Sequence, residues 1–191
     1  MPFTQVSYAI SLGGTGDNWS IYRMPAGGST WTSLFTILGT GKVGLGTTAP
    51  TALLHLVTTD TTTFSATANP TTRMLLGNLD TTTNNFIDIV FAANDSAASM
   101  IGAAKLSGIF TSHTAGAVAG DLVVTTRNAG TWGEVARFAS TGYLGVGTPS
   151  PTSRLQVVGL ATYASNAAAI TAGLTAGAFY TDGAAAVKVV Y

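Results

Sequence analysis

Carboxylate side chains are the groups in this chain best suited to acid–base chemistry, and there are few of them. Glu134 is the only glutamate, and the seven aspartates are scattered along the 191 residues. A glycosidase needs two carboxyl groups that face each other across the bond to be cleaved. Distant strands or neighbouring subunits could bring together such a pair, for example Asp88 and Glu134. Scattered aspartates are more simply explained as surface and turn residues, so glycan cleavage is kept only as an alternative.

A glycine-rich stretch from Gly44 to Ala49 matches the dinucleotide-binding pattern G-x-G-x-x-G/A. Dinucleotide binding needs a helix that begins directly after the glycines, because the amide groups and the dipole of the helix bind the pyrophosphate. Pro50 follows at once, and the residues after it are strand-like, so no nucleotide site is expected. The glycines are instead expected to let backbone segments turn or pass closely where a Cβ would clash.

Histidine and tryptophan are the remaining candidates for chemistry or binding. The chain has two histidines, His55 and His113, and no cysteine, so neither a metal site nor a thiol nucleophile is expected. Aromatic rings can stack on sugars, which makes Trp31, Trp132 and His113 candidate ligand contacts, although a repeated Trp more often serves packing. We therefore expect no cofactor, and we expect that the protein is not an enzyme.

The charge of the chain is low and balanced. Eight Lys and Arg residues match eight Asp and Glu residues, and only 8% of residues are charged, against about 25% in a typical soluble domain. Neither sign forms a block, so nucleic-acid binding is not expected. The long uncharged runs are interrupted by polar residues and glycines, so membrane insertion is not expected either. So few charges cover a lone globule poorly, and stability must come from packing or from association.

One phrase occurs twice, 101 residues apart: "GKVGLGTTAPTALLHLV" at residues 41–57 and "GYLGVGTPSPTSRLQVV" at residues 142–158. The spacing indicates a repeat of domain scale. The chain is therefore divided into an N-terminal attachment segment with the end of a first repeat (residues 1–57), a complete repeat (58–159) and a different C-terminal module (160–191). Packing roles are predicted in the two phrases for Gly44, Gly46, Pro50, Leu54, Gly145, Gly147, Pro151 and Leu155.

Short runs rich in Val, Ile, Phe and Thr, separated by Gly, Asn, Asp, Ser and Pro, predict an all-β fold. Both faces of the run at 86–91 are largely apolar, so this strand is expected to be covered on two sides. The Thr-rich stretch 58–72 is expected to be a loose connector or an extended strand. The strands predicted in the complete repeat are residues 72–77, 86–91, 99–104, 108–112, 121–126, 134–139, 143–147 and 154–158.

The C-terminal module departs from this pattern. A Ser-Asn start, three alanines and a glycine stop predict one or two turns of helix at 165–173. Strand-like runs around Asp182-Gly183 predict a β-hairpin with a two-residue turn. The module is thus expected to be a short helix followed by a terminal hairpin.

The repeated phrases resemble the G-x-V-G-I-G-T-x-x-P-x-x-x-L-x-V phrase that recurs in tail fibres, tail spikes and other appendages of bacteriophages and related viruses. Residues 167–191 are similar to a short helix-plus-hairpin ending of viral fibre and head-fibre proteins. The resemblance implies an elongated fibre of three identical β-rich chains, in which glycines suit a crowded axis. Many such proteins end in a self-cleaving chaperone domain of the endosialidase type, and this chain shows none. Either such a domain has already been removed or, as the terminal hairpin favours, the chain forms trimers unaided.

The resemblance also implies a function. It points to a virion structural protein, assembled in the host cytoplasm, that serves as a fibre or head decoration and attaches through its N-terminus to other virion proteins. Host-surface glycans would be bound by loops near residues 24–30 and 112–120. The alternatives are a glycan-cleaving tail-spike module and a purely structural linker between virion parts.

Overall fold

The computed structural model describes residues 6–12, 17–58, 74–184 and 186–191. The chain forms two compact units, which divide between Leu75 and Leu76. Three β-sheets and one short helix make up the regular structure of the described residues. The predicted all-β character is thus confirmed, whereas the predicted connector at 58–72 lies outside the described residues except for Thr58.

The first unit contains a five-stranded sheet, which we call the first sheet. Its strands lie side by side in chain order, and all neighbours are antiparallel except the last pair. The first strand pairs along its whole length with the second, so the N-terminal residues that it contains are part of the sheet. In chain order the strands are β1 (Ser7–Leu12), β2 (Trp19–Met24), β3 (Thr32–Ile37), β4 (Val43–Leu45) and β5 (Leu54–Leu56).

The second unit contains a six-stranded sheet, which we call the second sheet. Its strands also lie side by side in chain order, and all neighbours are antiparallel except the last pair. Two predicted strands, at 99–104 and 108–112, form one strand with two register shifts, because Lys105, Leu106 and Ser107 between them pair with both neighbouring strands. A tight turn at Ala129 and Gly130, both with positive φ, joins the third and fourth strands. The strands are β6 (Asn85–Asn94), β7 (Met100–Ser112), β8 (Ala119–Asn128), β9 (Thr131–Phe138), β10 (Leu144–Val146) and β11 (Leu155–Val157).

The prediction of a strand at 72–77 is wrong for residues 74–77, the part of it that the structure describes. Residues 74–80 carry no regular secondary structure, and residues 74–79 make no backbone-to-backbone hydrogen bond with any other described residue. A strand exists only through a hydrogen-bonded neighbour. The sequence has the composition of a strand, but within the described part of the chain it meets no partner.

The two copies of the repeated phrase fold in the same way. In each copy the first strand pairs antiparallel with the strand before it and parallel with the strand after it. The framing hydrogen bonds also recur: the Gly46 amide donates to the Leu34 carbonyl and the Gly147 amide to the Val135 carbonyl, each at 3.0 Å. The repetition found in the sequence is therefore a repetition of structure.

A short parallel connection is the distinctive feature of each copy. Parallel neighbours are usually joined by about a dozen residues or more, but residues 46–53 suffice between β4 and β5. The connection folds back onto its own strand, so that a Cβ on Gly44 would lie 2.6 Å from the Thr47 carbonyl oxygen. A Cβ on Gly145 would lie 2.5 Å from the Thr148 carbonyl oxygen. The expected close backbone approach at these glycines is confirmed, and it occurs within one chain.

The C-terminal module combines the helix α1 (Asn166–Thr171) with the strands β12 (Phe179–Thr181) and β13 (Val187–Val189). The Ser165 hydroxyl accepts a hydrogen bond from the Ala168 amide at 3.1 Å and caps the helix. Ala169, Tyr180 and Val190 form a small buried core. The predicted helix and hairpin are both confirmed.

The predicted two-residue hairpin turn is wrong. β12 and β13 pair antiparallel, but the residues between them run from Asp182 to Ala186. The Asp182 carboxylate accepts hydrogen bonds from the Ala184 and Ala186 amides, at 3.0 and 3.1 Å. Asp182 therefore organises a wider loop around its side chain, as aspartates at the start of turns commonly do.

Candidate assembly surface

The second sheet has one face that is apolar from edge to edge. Successive side chains of a strand alternate between the two faces of a sheet, so the pairing register shows which residues share a face. Two complete rows cross all six strands without a charged or polar side chain. We call them the apolar rows: Ile89, Leu106, Val124, Ala136, Val146 and Val157; and Ile87, Gly108, Leu122, Phe138, Leu144 and Leu155.

The first sheet repeats this design. Two apolar rows cross its five strands, and their members in β3, β4 and β5 are the repeat counterparts of those in β9, β10 and β11. The same alternation therefore gives the same face in both copies of the phrase. The rows of the first sheet are Ile10, Ile21, Phe35, Leu45 and Leu56; and Leu12, Trp19, Ile37, Val43 and Leu54.

Both apolar faces are open in the single chain. Phe138, in the middle of an apolar row, is 51% exposed. Leu155, at the β11 end of the same row, is 61% exposed. Among the described residues only five hydrophobic side chains are buried, while thirty-four large ones are exposed. Contiguous exposed apolar surface of this kind marks interaction sites in soluble proteins.

The expectation that the strand at 86–91 is covered on two sides is wrong for the single chain. Phe86, Ile89 and Phe91 are all exposed. β6 lies at the edge of the second sheet, so it has one strand neighbour. Among its apolar side chains at 86–91 only Ile87 is half-buried, and Lys105 lies over the Phe86 ring at 5.2 Å. The described part of the chain therefore does not cover this strand on both sides.

The opposite faces of the sheets are polar and better buried. In the first sheet the Thr36 hydroxyl lies 3.0 Å from the Ser20 hydroxyl and 3.1 Å from that of Ser33. In the second sheet Lys105 pairs with Asp88 at 3.0 Å. Each sheet therefore pairs polar side chains with one another on one face and leaves its apolar face without cover, the reverse of a compact single domain. On the polar face of the second sheet, Asp88 Oδ1 and Ser107 Oγ are buried without a hydrogen-bond partner among the described residues.

An ion-pair cluster forms the centre of the polar face of the second sheet. Arg137 donates to both Glu134 carboxylate oxygens, at 2.9 and 2.7 Å, and to Asp121 at 2.7 Å. Hydrogen bonds to Glu134, and then to Asp121, raise the pKa of Arg137 despite its burial. Burial raises the pKa of Asp121, but the Ser140 amide and Arg137 together lower it below its ordinary value. The cluster ties β8 to β9 with groups that stay charged.

The lowered pKa of Asp121 predicts a loss of stability in acid. Because the folded pKa lies below the unfolded value, the contribution of Asp121 is complete above about pH 4 and is lost as the pH falls through the folded pKa. We expect the urea midpoint to stay level from neutral pH down to about pH 5 and to fall below about pH 4. Asp121→Asn should flatten this fall; equal slopes in both proteins would contradict the assignment.

The residues with predicted packing roles divide into two groups. Pro50 is buried and Pro151 is half-buried, and each lies against the glycine of its own phrase. Gly46 and Gly147 have positive φ, and a Cβ on either would overlap the carbonyl oxygen of Val57 or Val158. Leu54 and Leu155, in contrast, are exposed members of the apolar rows. The glycines and prolines thus shape the chain itself, and the leucines are free to contact another molecule.

A shared role explains why His55 is replaced by Gln156 in the second copy. The Thr51 amide donates to His55 Nδ1 at 3.3 Å, and the Thr152 amide donates to the Gln156 side-chain oxygen at 2.8 Å. Both side chains accept one hydrogen bond from the folded-back connection. The 101-residue offset between the phrases pairs the two positions in the sequence, but histidine and glutamine do not reveal by residue type that they share a role as hydrogen-bond acceptors.

The candidate ligand contacts do not form one site. Trp132 packs at the start of β7, with Arg127 and Lys105 5.5 and 5.8 Å from its ring centre. His113 follows the other end of β7, about 35 Å away along the strand. There its ring stacks on Phe110 and bonds to Asn85 at 3.1 Å. His113 therefore has a positioning role in its loop.

Trp31 lies in the other unit, beside a shallow cavity of about 320 Å³ that Ala9, Ser11 and Tyr22 also line. The loops near 24–30 and 112–120 are the β2–β3 and β7–β8 connections, as predicted. Trp31 and Trp132 are both exposed, so each ring is accessible from solvent. No observation joins them into one ligand site.

Asp88 and Glu134 are not placed to act as a catalytic pair within one chain. They lie on β6 and β9, three strand spacings apart, or about 14 Å. Paired glycosidase carboxyls stand about 5 to 9.5 Å apart. Asp88 is also paired with Lys105, and Glu134 with Arg137. Their roles here are ion pairs within the sheet.

Comparisons with known proteins find no family model and no curated protein that matches the chain. In the part of the chain that the structure describes, no helix is both long and apolar enough to cross a membrane. The same residues contain no cluster of His, Cys, Asp or Glu suited to a metal ion. Among the described residues, the open apolar faces are therefore the feature that best indicates a function.

Proposed function

We propose that the chain is a structural subunit of a virion, a fibre or head decoration that assembles as an elongated homotrimer. The observation that carries the proposal is the pair of apolar rows, repeated in two sheets and open in both. Another copy of the chain brings the same surfaces, so copies arranged around an axis can cover one another. The number three and the virion context come from the resemblance of the repeated phrases to viral fibres.

The energy available from the open faces is of the same order as the cost of association. Burying a fully exposed large aliphatic or aromatic side chain contributes about 1.5–3 kcal/mol. Six side chains of the second-sheet rows are 36–61% exposed, so together they would contribute on the order of 5–10 kcal/mol per chain, against a cost of about 4–15 kcal/mol for lost freedom of motion. They are Ile89, Leu106, Leu122, Phe138, Leu155 and Val157. The first sheet and the hairpin, with exposed Phe179, Val187 and Val189, add to this.

Host attachment is the second part of the proposal. With the apolar faces turned inward, the polar faces and their loops would face solvent, including the exposed rings of Trp31 and Trp132. Three weak glycan contacts on one particle can raise apparent affinity by about 10² to 10⁴. The N-terminal part would dock to other virion proteins. No cofactor or nucleic acid takes part in this function.

The virion role is tested on particles and the attachment role on glycans. Proteomic analysis of purified virus encoding this chain should find it in intact particles, and its absence from them would refute the virion role. A glycan array probed with assembled protein should show binding that Trp31→Ala or Trp132→Ala weakens. Signals no higher than background would remove attachment and leave the structural role.

A further inference from the structure

The segment Met74–Leu79 is largely apolar, has no regular secondary structure and is exposed throughout. Leu75 is 80% exposed and Leu79 is 99% exposed, and Met74 and Leu76 are exposed as well. No charged residue interrupts the segment. Its backbone forms no hydrogen bond with the backbone of any other described residue. Contiguous exposed leucines mark interaction sites, and amide groups that only water can bond are free to pair with another strand, so a partner strand is expected for this segment.

The outer edge of β6 is a candidate partner strand for this segment. β6 is ten residues long, is bonded to β7 on one side only, and carries exposed Phe86, Ile89 and Phe91. Apart from β7, the described chain supplies two hydrogen bonds to the β6 backbone, both at its first two residues: the Asn85 amide donates to the Thr82 carbonyl at 3.0 Å, and the Asn78 side chain donates to the Phe86 carbonyl at 3.3 Å. Long apolar edge strands are normally covered, because their free amide and carbonyl groups invite another strand.

We propose that Met74–Leu79 of one copy adds as a strand to the free edge of β6 in a second copy. This inference rests on the proposed assembly and names the contact that links its chains. Both halves of the contact belong to the same chain, and within its described part the segment and the outer edge of β6 beyond Phe86 have no strand partner, so a second copy always supplies the complement. Strand addition would satisfy the backbone groups of both partners. Alternate side chains of the added strand would extend the apolar rows of the second sheet.

The contact joins two different surfaces, so it is heterologous. Such contacts either propagate as open filaments or close into a ring when the rotation between copies permits. In a ring of three, each chain gives its segment to the next and receives one from the previous chain. Every copy of Met74–Leu79 and every β6 edge would then be covered.

Hydrogen exchange on the assembled protein is the first test. The segment amides have no backbone partner within the described chain, so they should exchange freely unless another strand binds them. We expect at least about a hundred-fold protection of a peptide covering 74–79 in the assembly. Assembled protein with unprotected amides would overturn the strand addition and leave the proposed function intact, whereas a protein that is monomeric throughout would overturn both.

Cross-linking shows whether the pairing is between chains. The chain has no cysteine, so Leu76→Cys and Val90→Cys in one chain can be joined by a short bismaleimide spacer. Covalent dimers and trimers should appear on a denaturing gel, and neither single-cysteine variant should give trimers. Linkage only within chains would show that the segment pairs with its own β6 and would overturn the proposal.

Charge substitution measures the strength of the contact. Leu75→Asp with Leu79→Asp should raise the concentration needed for assembly at least ten-fold, because two carboxylates would enter an apolar contact. Thr81→Asp with Thr83→Asp adds the same charge at exposed polar positions close by and should leave assembly unchanged. Equal effects of the two double variants would contradict a specific role for the leucines.

Discussion

Replacing Ile89 by aspartate should dissociate the assembly into single chains, whereas replacing the adjacent Val90 by aspartate should leave it assembled. The two residues are neighbours on β6 and have similar exposure in the single chain, 43% and 51%. Ile89 lies in an apolar row, and Val90 lies on the polar face opposite Lys105. Only the first substitution places a charge in the apolar rows that other copies are proposed to cover, whereas the second places it beside Lys105 on the polar face.

The size of the Ile89→Asp effect follows from two costs. The assembly loses the burial of an isoleucine, worth about 1.5–3 kcal/mol, and must bury or hydrate a carboxylate that has no partner. Together these should weaken assembly by about 4 kcal/mol per site, or roughly a thousand-fold. Sedimentation velocity over a concentration series would measure it. If both variants dissociate, or neither does, the assignment of the two faces is wrong.

Replacing Gly145 by alanine should cost about 2–3 kcal/mol of stability, since the new methyl group would overpack a tight site. Its Cβ would lie 2.5 Å from the Thr148 carbonyl oxygen, which belongs to the connection folded back over β10. The connection would have to move away, and the β10–β11 pairing that it supports would weaken.

A second glycine in the same sheet provides the control for Gly145→Ala. Gly133 lies in β9, and a Cβ there would meet no atom within 4 Å. Gly133→Ala should be neutral or stabilise by about 0.5 kcal/mol, because alanine loses less backbone freedom on folding. Denaturant unfolding at one fixed protein concentration would compare the two. A Gly145→Ala protein as stable as the Gly133→Ala protein would contradict the close approach.

Local patterns were sufficient to predict most of the strands. The runs predicted at 86–91 and 121–126 lie within β6 and β8, and the run predicted at 134–139 extends one residue beyond β9; all three contain the β-branched and aromatic residues that favour strands. The repeated phrases predicted equivalent structure in two places, and the same hydrogen bonds occur in both. These features depend on residues close together in sequence.

The assembly surface could not be predicted in the same way. The run at 86–91 is apolar on both faces, so its sequence does not show which face the chain covers. Only the register with β7 and β8 places Ile87 and Ile89 in rows with Leu106 and Leu122. The strand predicted from 72 to 77 lacks a partner in the described chain, and strand composition carries no information about where a partner lies.

The role of candidate site residues was equally hard to predict from residue type. Asp88 and Glu134 were suited to catalysis by their chemistry alone, because residue type does not show which cation pairs with each carboxylate. Lys105, which pairs with Asp88, lies on the neighbouring strand, and Arg137, which pairs with Glu134, lies three residues along the same strand. His113 was a candidate contact because it is a rare residue type. The structure shows that its ring is held by Phe110 and Asn85.

The mass of the purified chain in solution tests the central claim most directly. That claim is that other copies of the chain cover the two open apolar faces. Light scattering coupled to size-exclusion chromatography should give three times the chain mass of 19.3 kDa, and small-angle scattering should give a radius of gyration larger than the roughly 25 Å of a compact protein of that size. A stable particle of one chain mass, with a radius of gyration of about 16 Å, would contradict the account.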